Sequence, residues 1–463
     1  MIYRFVRWAL RLSLLGFYRR VEIQGVELIP ETGPMLVVAN HTNAFVDPLI
    51  VLTGQRRRVT LTAKSTLARN PLLAPVIKGL GVVPLHRSDD RHRGAAPEQN
   101  VEALAACVTI LRNGGAVFVF PEGVSHSDPA MRPFKTGAAR LVSAFLEARP
   151  DRELWIVPVG LHFTKKDRWR SEALALVGVP VQAREWAGRQ PASADDGRID
   201  VRTLTEAMRG WVEALTMNFS SEEERSLLSG AERLLAYRAE GPGPLDRPAE
   251  WDSRTRVDRV HRLQRGAHEL RRRDPERFDL LASRARSLNR QLDTLGVGAE
   301  EVSLSMHAGR AALFVVRELE VLLVGAPVAF LGWGVHLPPL SLTRHLVARM
   351  SVDEDHTASN AVFLSIPIFG AWWVALGVLG GLLLPAAWAT VALLTVWFTA
   401  MVHLHYRDRA GGVLRRIRTF VLWFRRPDLR ERLEADITGW HEQVRAAEAD
   451  FPDPPSRHTP ETR

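Results

Sequence analysis

Cysteine is nearly absent from this chain: Cys107 is the only one among 463 residues. That excludes intramolecular disulfides and any cysteine-built metal site, and it implies no oxidising compartment. Lysine is scarce as well, confined to Lys64, Lys78, Lys135, Lys165 and Lys166, so arginine supplies most of the net charge of +9. Arginine bias of this kind also arises from genomic drift and by itself points to no function. The first twenty residues contain no acid. They also lack the unbroken apolar core and small-residue cleavage site of a signal peptide. Among the 15 histidines there is no H-E-x-x-H or comparable metal-binding spacing. A mean hydropathy of −0.08 argues against a polytopic transporter. A charged fraction of 24% with 46% apolar residues excludes a disordered chain.

What is present falls into distinct stretches. Residues 1–20 carry Arg4, Arg7 and Arg11 at helical spacing, with Phe5, Trp8, Leu12 and Leu15 on another face. This composition predicts a basic amphipathic helix lying on an anionic leaflet, against the alternative of an ordinary helix packed on its domain. Residues 21–219 alternate short apolar strands with helical stretches, which predicts an α/β unit. Its expected strands are Met35–Ala39, Val59–Ala63, Ala116–Phe120 and Trp155–Val159, and Gln190–Gly197 reads as a loop near its end. Residues 220–320 are helical by composition, with long helices expected over Ser220–Leu295.

Farther on, Ala361–Leu384 holds 24 uncharged residues and Pro385–Val402 another 18. Each is close to the ~20 residues needed to cross a bilayer. Residues 361–404 therefore read as two transmembrane helices turning near Pro385. Residues 321–343 are also uncharged, but Gly325, Pro327, Gly332, Gly334, Pro338 and Pro339 break the run. A third crossing would export the N-terminal region, so this stretch reads as re-entrant or interfacial. The arginines after the second span, from Arg407 to Arg426, place residues 405–463 in the cytoplasm. From Phe451 the chain reads as a disordered polar tail.

Four blocks stand at the ends of expected strands, where open α/β sheets bind ligands. The first runs Asn40-His41-Thr42-Asn43-Ala44-Phe45-Val46-Asp47-Pro48. Histidine suits general-base work near neutral pH, and a carboxylate can fix its tautomer. His41 and Asp47 meet only if one sits in the strand-exit loop and the other at the next helix start, with Asp47 as N-cap and Pro48 following. The same arrangement also permits Asp47 to be merely a cap. The second block, Gly81 to Arg87, is a turn ending in a guanidinium suited to phosphate. The third, Phe120-Pro121-Glu122-Gly123-Val124-Ser125-His126, puts a carboxylate and a glycine in a tight strand exit, followed by Met131 to Gly137. The fourth, Ile156-Val157-Pro158-Val159-Gly160, is mostly buried strand.

In this order and spacing the blocks resemble the glycerolipid acyltransferase family of the PlsC and glycerol-3-phosphate acyltransferase type. The family marks are N-H-x(4)-D, G-x-x-[FP]-x-x-R, F-P-E-G and V-P-[IV]. The last three match; the first departs, because five residues rather than four separate His41 from Asp47. That longer spacing resembles the subgroup related to fungal glycerol-3-phosphate/dihydroxyacetone-phosphate acyltransferases. The resemblance implies an α/β acyltransferase domain, followed by long helices and a C-terminal membrane-embedded helical hairpin. It implies His41 and Asp47 as the catalytic pair, Arg87 on the acceptor phosphate, and Glu122, Gly123, Ser125 and Lys135 at the acceptor. No cofactor is implied, only acyl-CoA or acyl-carrier protein as co-substrate. Anionic membrane lipids and a glycerol 3-phosphate-type acceptor are the other expected partners, at the cytoplasmic face of the inner membrane. A serine hydrolase fits less well, since Gly123-Val124-Ser125-His126-Ser127 lacks the second glycine of a nucleophile elbow. A non-enzymatic membrane scaffold explains the apolar helices but not the four blocks. Nucleic-acid binding is disfavoured, because the positive charge clusters beside apolar segments.

Overall fold

The structure is a computed structural model and describes residues 2–44, 46–55, 57–64, 79–85, 97–190, 199–235, 237, 253–302, 308–350 and 354–450. Arg87, most of the expected loop after Gln190 and the tail from Phe451 lie outside the described residues. The chain divides into two compact units, Met1–Asn218 with Val335–Thr395, and Phe219–Gly334 with Val396–Arg463.

The first unit is built on one mixed sheet. Its strands are β1 (Arg20–Gln24), β2 (Met35–Ala39), β3 (Val59–Lys64), β4 (Val83–Leu85), β5 (Ala116–Val119), β6 (Trp155–Phe163), β7 (Glu172–Val177) and β8 (Val181–Gln182). The spatial order is β1-β7-β6-β2-β5-β3-β4, with β8 paired to β6. Strands β6, β2, β5, β3 and β4 run parallel, while β7 returns antiparallel to β6. Successive side chains on a strand point to opposite faces. Val37, Ala39, Phe118, Val157 and Val159 thus enter one buried cluster, and Leu36, Val38, Val117, Val119 and Ile156 enter another. Burial on both faces explains why these strands read as continuous apolar runs.

The four expected strands are present, and four more accompany them. Residues Gly81 to Leu85, read as a turn, instead form β4 beyond the turn at Gly81; it lies at the end of the sheet, where Pro84 is tolerated. Helices α1 (Ile2–Phe17) and α2 (Val46–Gly54) cover one face; α3 (Pro97–Arg112), α4 (Gly137–Ala148) and α6 (Val201–Glu213) cover the other, with the short α5 (Ala183–Gly188) between the last two.

Helix α1 serves two surfaces. Leu10, Leu14 and Phe17 are buried in the core, whereas Phe5, Trp8, Leu12 and Leu15 are exposed, with Arg4 and Arg11 beside them. Arg7 departs from the expected basic face: its guanidinium donates to the carbonyls of Thr53 (3.2 Å) and Gln55. On another side, the Ser13 hydroxyl donates to the Val362 carbonyl at 2.8 Å and stands 2.6 Å from Ser365 Oγ.

The second unit is helical. Its helices α7 (Glu222–Leu235), α8 (Ser253–Arg273), α9 (Pro275–Leu295), α10 (Ala299–Val302) and α14 (Pro427–Asp450) close on Leu234, Leu288, Leu292, Trp423, Ile437 and Trp440. Asp274 caps α9 by accepting from the Arg277 amide, Pro275 follows it, and Gly296 ends the helix at φ 68°. The indole N–H groups of Trp423 and Trp440 donate to the carbonyls of Glu301 (3.0 Å) and Leu281 (3.1 Å).

Three long helices remain: α11 (Ala308–Met350), α12 (Glu354–Leu383) and α13 (Ala386–Arg425). Each holds a stretch long and apolar enough to cross a membrane: Val316–Met350, Thr357–Leu383 and Ala386–Arg425. The turn between the last two falls at Leu384–Pro385. The glycines and prolines of residues 321–343 do not end α11, contrary to the broken segment expected from the sequence. Part of the reason is packing. Within the second unit, a β-carbon on Gly332 would stand 2.1 Å from the Thr399 carbonyl oxygen, and one on Gly325 3.2 Å from the Tyr406 ring. These glycines permit close helix contact rather than a break. Arg409 grips Glu318 with two hydrogen bonds of 2.8 and 2.9 Å along the same pair of helices.

Candidate active site

Strands β2 and β5 are parallel neighbours, with Val38 opposite Val119, so their carboxyl ends emerge at one edge of the sheet. His41 follows β2 by two residues and Glu122 follows β5 by three, which brings two of the sequence blocks into one place.

Asp47 is fully buried, and its Oδ2 is 2.9 Å from His41 Nδ1. The same oxygen accepts the amide N–H groups of Thr42 and Asn43, each at 2.7 Å. These amides precede α2, and Asp47 itself lies one residue inside the helix, which begins at Val46. Asp47 is therefore not the N-cap the sequence suggested. Its carboxylate turns back and orders the loop that carries His41. With Asp47 accepting at Nδ1–H, the imidazole presents Nε2 as its basic nitrogen. Phe120 stacks on the His41 ring, with centroids 3.8 Å apart and planes within 10°.

Glu122 is 2% exposed, and both its oxygens are engaged. Oε1 accepts the His41 amide at 2.7 Å, while Oε2 accepts the Arg132 amide at 2.8 Å and faces His126 Nε2. The carboxylate braces the His41 loop from both oxygens. Gly123 has φ +77°, and a β-carbon there would lie 2.8 Å from Lys135 Nζ. Glycine suits the left-handed backbone there, and a β-carbon would also meet the flexible end of Lys135. Ser125 is half-buried in the same loop, and the exposed Lys135 is tied back by its amide to the Pro121 carbonyl.

Several participants were not singled out from the sequence. Tyr18, at the end of α1, accepts from Asn43 Nδ2 at 3.0 Å and donates to the Lys166 carbonyl at 3.2 Å. Burial first, and the Asp47 charge second, hold its phenol well above the ordinary value, so it remains a donor. Lys166 donates to the Thr42 carbonyl at 3.1 Å and to Ser127 Oγ, joining the β6–β7 loop to both other loops. His126 is 5% exposed; it stood in the quoted block with no role attached. Its spacing of four from Glu122 was the available signal.

The Acyltransferase family model matches residues 20–162. This stretch is an acyltransferase-family domain. The acyltransferase domain contains the His41–Asp47 pair, Glu122, Gly123, Ser125 and Lys135. Among similar proteins, the chloroplastic 1-acyl-sn-glycerol-3-phosphate acyltransferase BAT2 of Brassica napus is 34% identical over 133 residues, covering 28% of this chain and 35% of that protein. Glycerol-3-phosphate O-acyltransferase 1 of Saccharomyces cerevisiae is 23% identical over 361 residues, covering 60% of this chain and 46% of the yeast protein. Glycerol-3-phosphate O-acyltransferase 2 of the same yeast is 28% identical over 153 residues, covering 33% and 20%. The chain spans 35% and 34% of the length of the first two curated relatives it matches.

Proposed function

We propose that this chain is a membrane-bound O-acyltransferase of phospholipid synthesis. It transfers a fatty acyl group from acyl-CoA or acyl-carrier protein to glycerol 3-phosphate or dihydroxyacetone phosphate. The observation that carries the reading is the buried His41–Asp47 pair, 2.9 Å apart at the sheet edge of an acyltransferase-family domain. His41 Nε2 takes the proton of the acceptor hydroxyl as that oxygen attacks the thioester carbonyl. The tetrahedral intermediate then expels the thiolate, which leaves with the proton from Nε2. Asp47 stabilises the imidazolium between these steps and fixes its tautomer. No acyl-enzyme is required. Arg87 and Lys135 serve the acceptor phosphate, with Gly123 and Ser125 shaping the loop between them; Glu122 braces His41.

The match to the yeast enzyme supports the small acceptor, because it extends well beyond the domain, over 60% of this chain. The stronger identity to proteins named 1-acyl-sn-glycerol-3-phosphate acyltransferase favours lysophosphatidate as the second reading. The three apolar helices support a membrane-integral protein. In our reading 361–404 spans the bilayer twice, and the arginine-rich segment and the active site face the cytoplasm. The exposed apolar and arginine surface of α1 rests on anionic lipid of the same leaflet.

The test is transfer from labelled acyl-CoA, in detergent, to each of the three acceptors separately. His41→Ala is expected to lower the rate by about 10²–10⁴-fold. Product from lysophosphatidate alone overturns the choice of acceptor. Equal rates for the wild type and the variant overturn the mechanism.

A further inference from the structure

We infer that His126 is a positioning residue that holds His41 through Glu122, an inference that rests on the acyltransferase reading above. The segment from Phe120 to His126 grips His41 at three points. Phe120 stacks on its ring, Glu122 Oε1 accepts its amide N–H at 2.7 Å, and the His126 amide donates to its carbonyl at 3.2 Å. The middle grip depends on a carboxylate held correctly turned while 2% exposed. An unpaired charge at such burial is strongly unfavourable, so its other oxygen must be satisfied. His126 Nε2 and the Arg132 amide do this at Oε2.

The hydrogen bonds also assign the imidazole proton. His126 Nδ1 accepts the Asp128 amide at 3.2 Å, so the proton is on Nε2 and points at Glu122. The Asp128 carboxylate, 3.4 Å from the same Nδ1, is engaged by Arg132 Nε at 2.7 Å. Lys166 Nζ bonds Ser127 Oγ and lies 3.5 Å from the His126 carbonyl, which fixes the far side of the loop. His126 thus presents its Nε2–H to Glu122 Oε2. It touches no reacting atom. Removing its Nε2–H frees Glu122 to turn, and the His41 amide loses its acceptor. A displacement of about 1 Å at a reacting group costs on the order of 10²-fold in rate.

Two substitutions separate this role from packing. Glutamine carries an amide N–H to the position of Nε2, whereas asparagine reaches only as far as Nδ1. His126→Asn is expected to lower kcat on the order of 10²-fold, with KM for donor and acceptor nearly unchanged. His126→Gln is expected to restore most of kcat. Retention of wild-type kcat by His126→Asn, or equal losses in both variants, overturns the inference. Where His126→Asn does not purify folded, the cycle of Glu122→Gln, His126→Phe (ring kept, Nε2–H removed) and the joint variant is measured instead. The joint variant is expected to be no slower than Glu122→Gln alone, and additive losses overturn the inference. Failure of the underlying reading looks different: the wild type itself transfers no acyl group, or His41→Ala is as fast as the wild type.

Discussion

The loops at the edge of the β2–β5 pair and the helical bundle of the second unit bury side chains on opposite principles. The loops bury Asn40, His41, Asn43, Asp47, Glu122 and His126, each under 9% exposed. The bundle closes on Leu234, Ile437, Trp423 and Trp440; it buries few charges, such as Glu232 beside Arg256, and carries ion pairs such as Arg272–Glu269 at its surface. Burying polar groups costs free energy that their mutual bonds barely offset, whereas apolar burial of the bundle's kind stabilises directly. A chain under selection for stability alone would build the second pattern. The first is expected where groups must be fixed for chemistry, and the two regions should therefore respond to substitution in different observables.

The sharpest contrast comes from Asp47→Asn. Its amide oxygen can still accept the Thr42 and Asn43 amides, but it cannot balance an imidazolium. Acyl-transfer kcat should fall by on the order of 10³-fold while the thermal midpoint moves little; unchanged kcat removes Asp47 from the mechanism. Next in size is Trp440→Ala in the bundle, which deletes a buried indole and its bond to the Leu281 carbonyl. Unfolding free energy from denaturant titration should drop by about 3–5 kcal/mol, with kcat per folded molecule unchanged. A kcat loss at unchanged stability would break the comparison. The smallest effect is assigned to Arg272→Ala. Its pair with Glu269 is solvent-screened, and neither the midpoint nor kcat should move beyond error.

Much of this contrast was legible in the sequence, for physical reasons that differ by element. Met35–Ala39 and Ala116–Val119 are apolar runs bounded by turn residues, and strands buried on both faces read that way. Glu172–Val177, with the sequence EALALV, is composed of helix formers; only its pairing with β1 and β6 makes it a strand. β1 was missed because RVEIQ lies at the sheet edge and is only half-buried. At the site, the His41–Asp47 partnership followed from residue type and the helix start, although Asp47 lies inside the helix rather than at its cap. The engagement of Glu122 with His41 spans 81 positions and no local pattern encodes it. The same holds for Lys166, whose contact with Thr42 spans 124. In α11, glycine and proline counted as breakers, yet Gly332 fits the surface of a neighbouring helix that a local reading does not see.

The bond between Ser13 and the Val362 carbonyl joins positions 349 apart. At a synthesis rate of about 5–20 residues per second, roughly 20–70 s separates the appearance of the two partners at the ribosome. Throughout that interval α1 exists without the helix that later lies against it. The acyltransferase domain therefore cannot be finished when its own last strand has been made. Completion waits for a segment far downstream, and a nascent chain stalled before Ala361 would leave α1 with one flank uncovered.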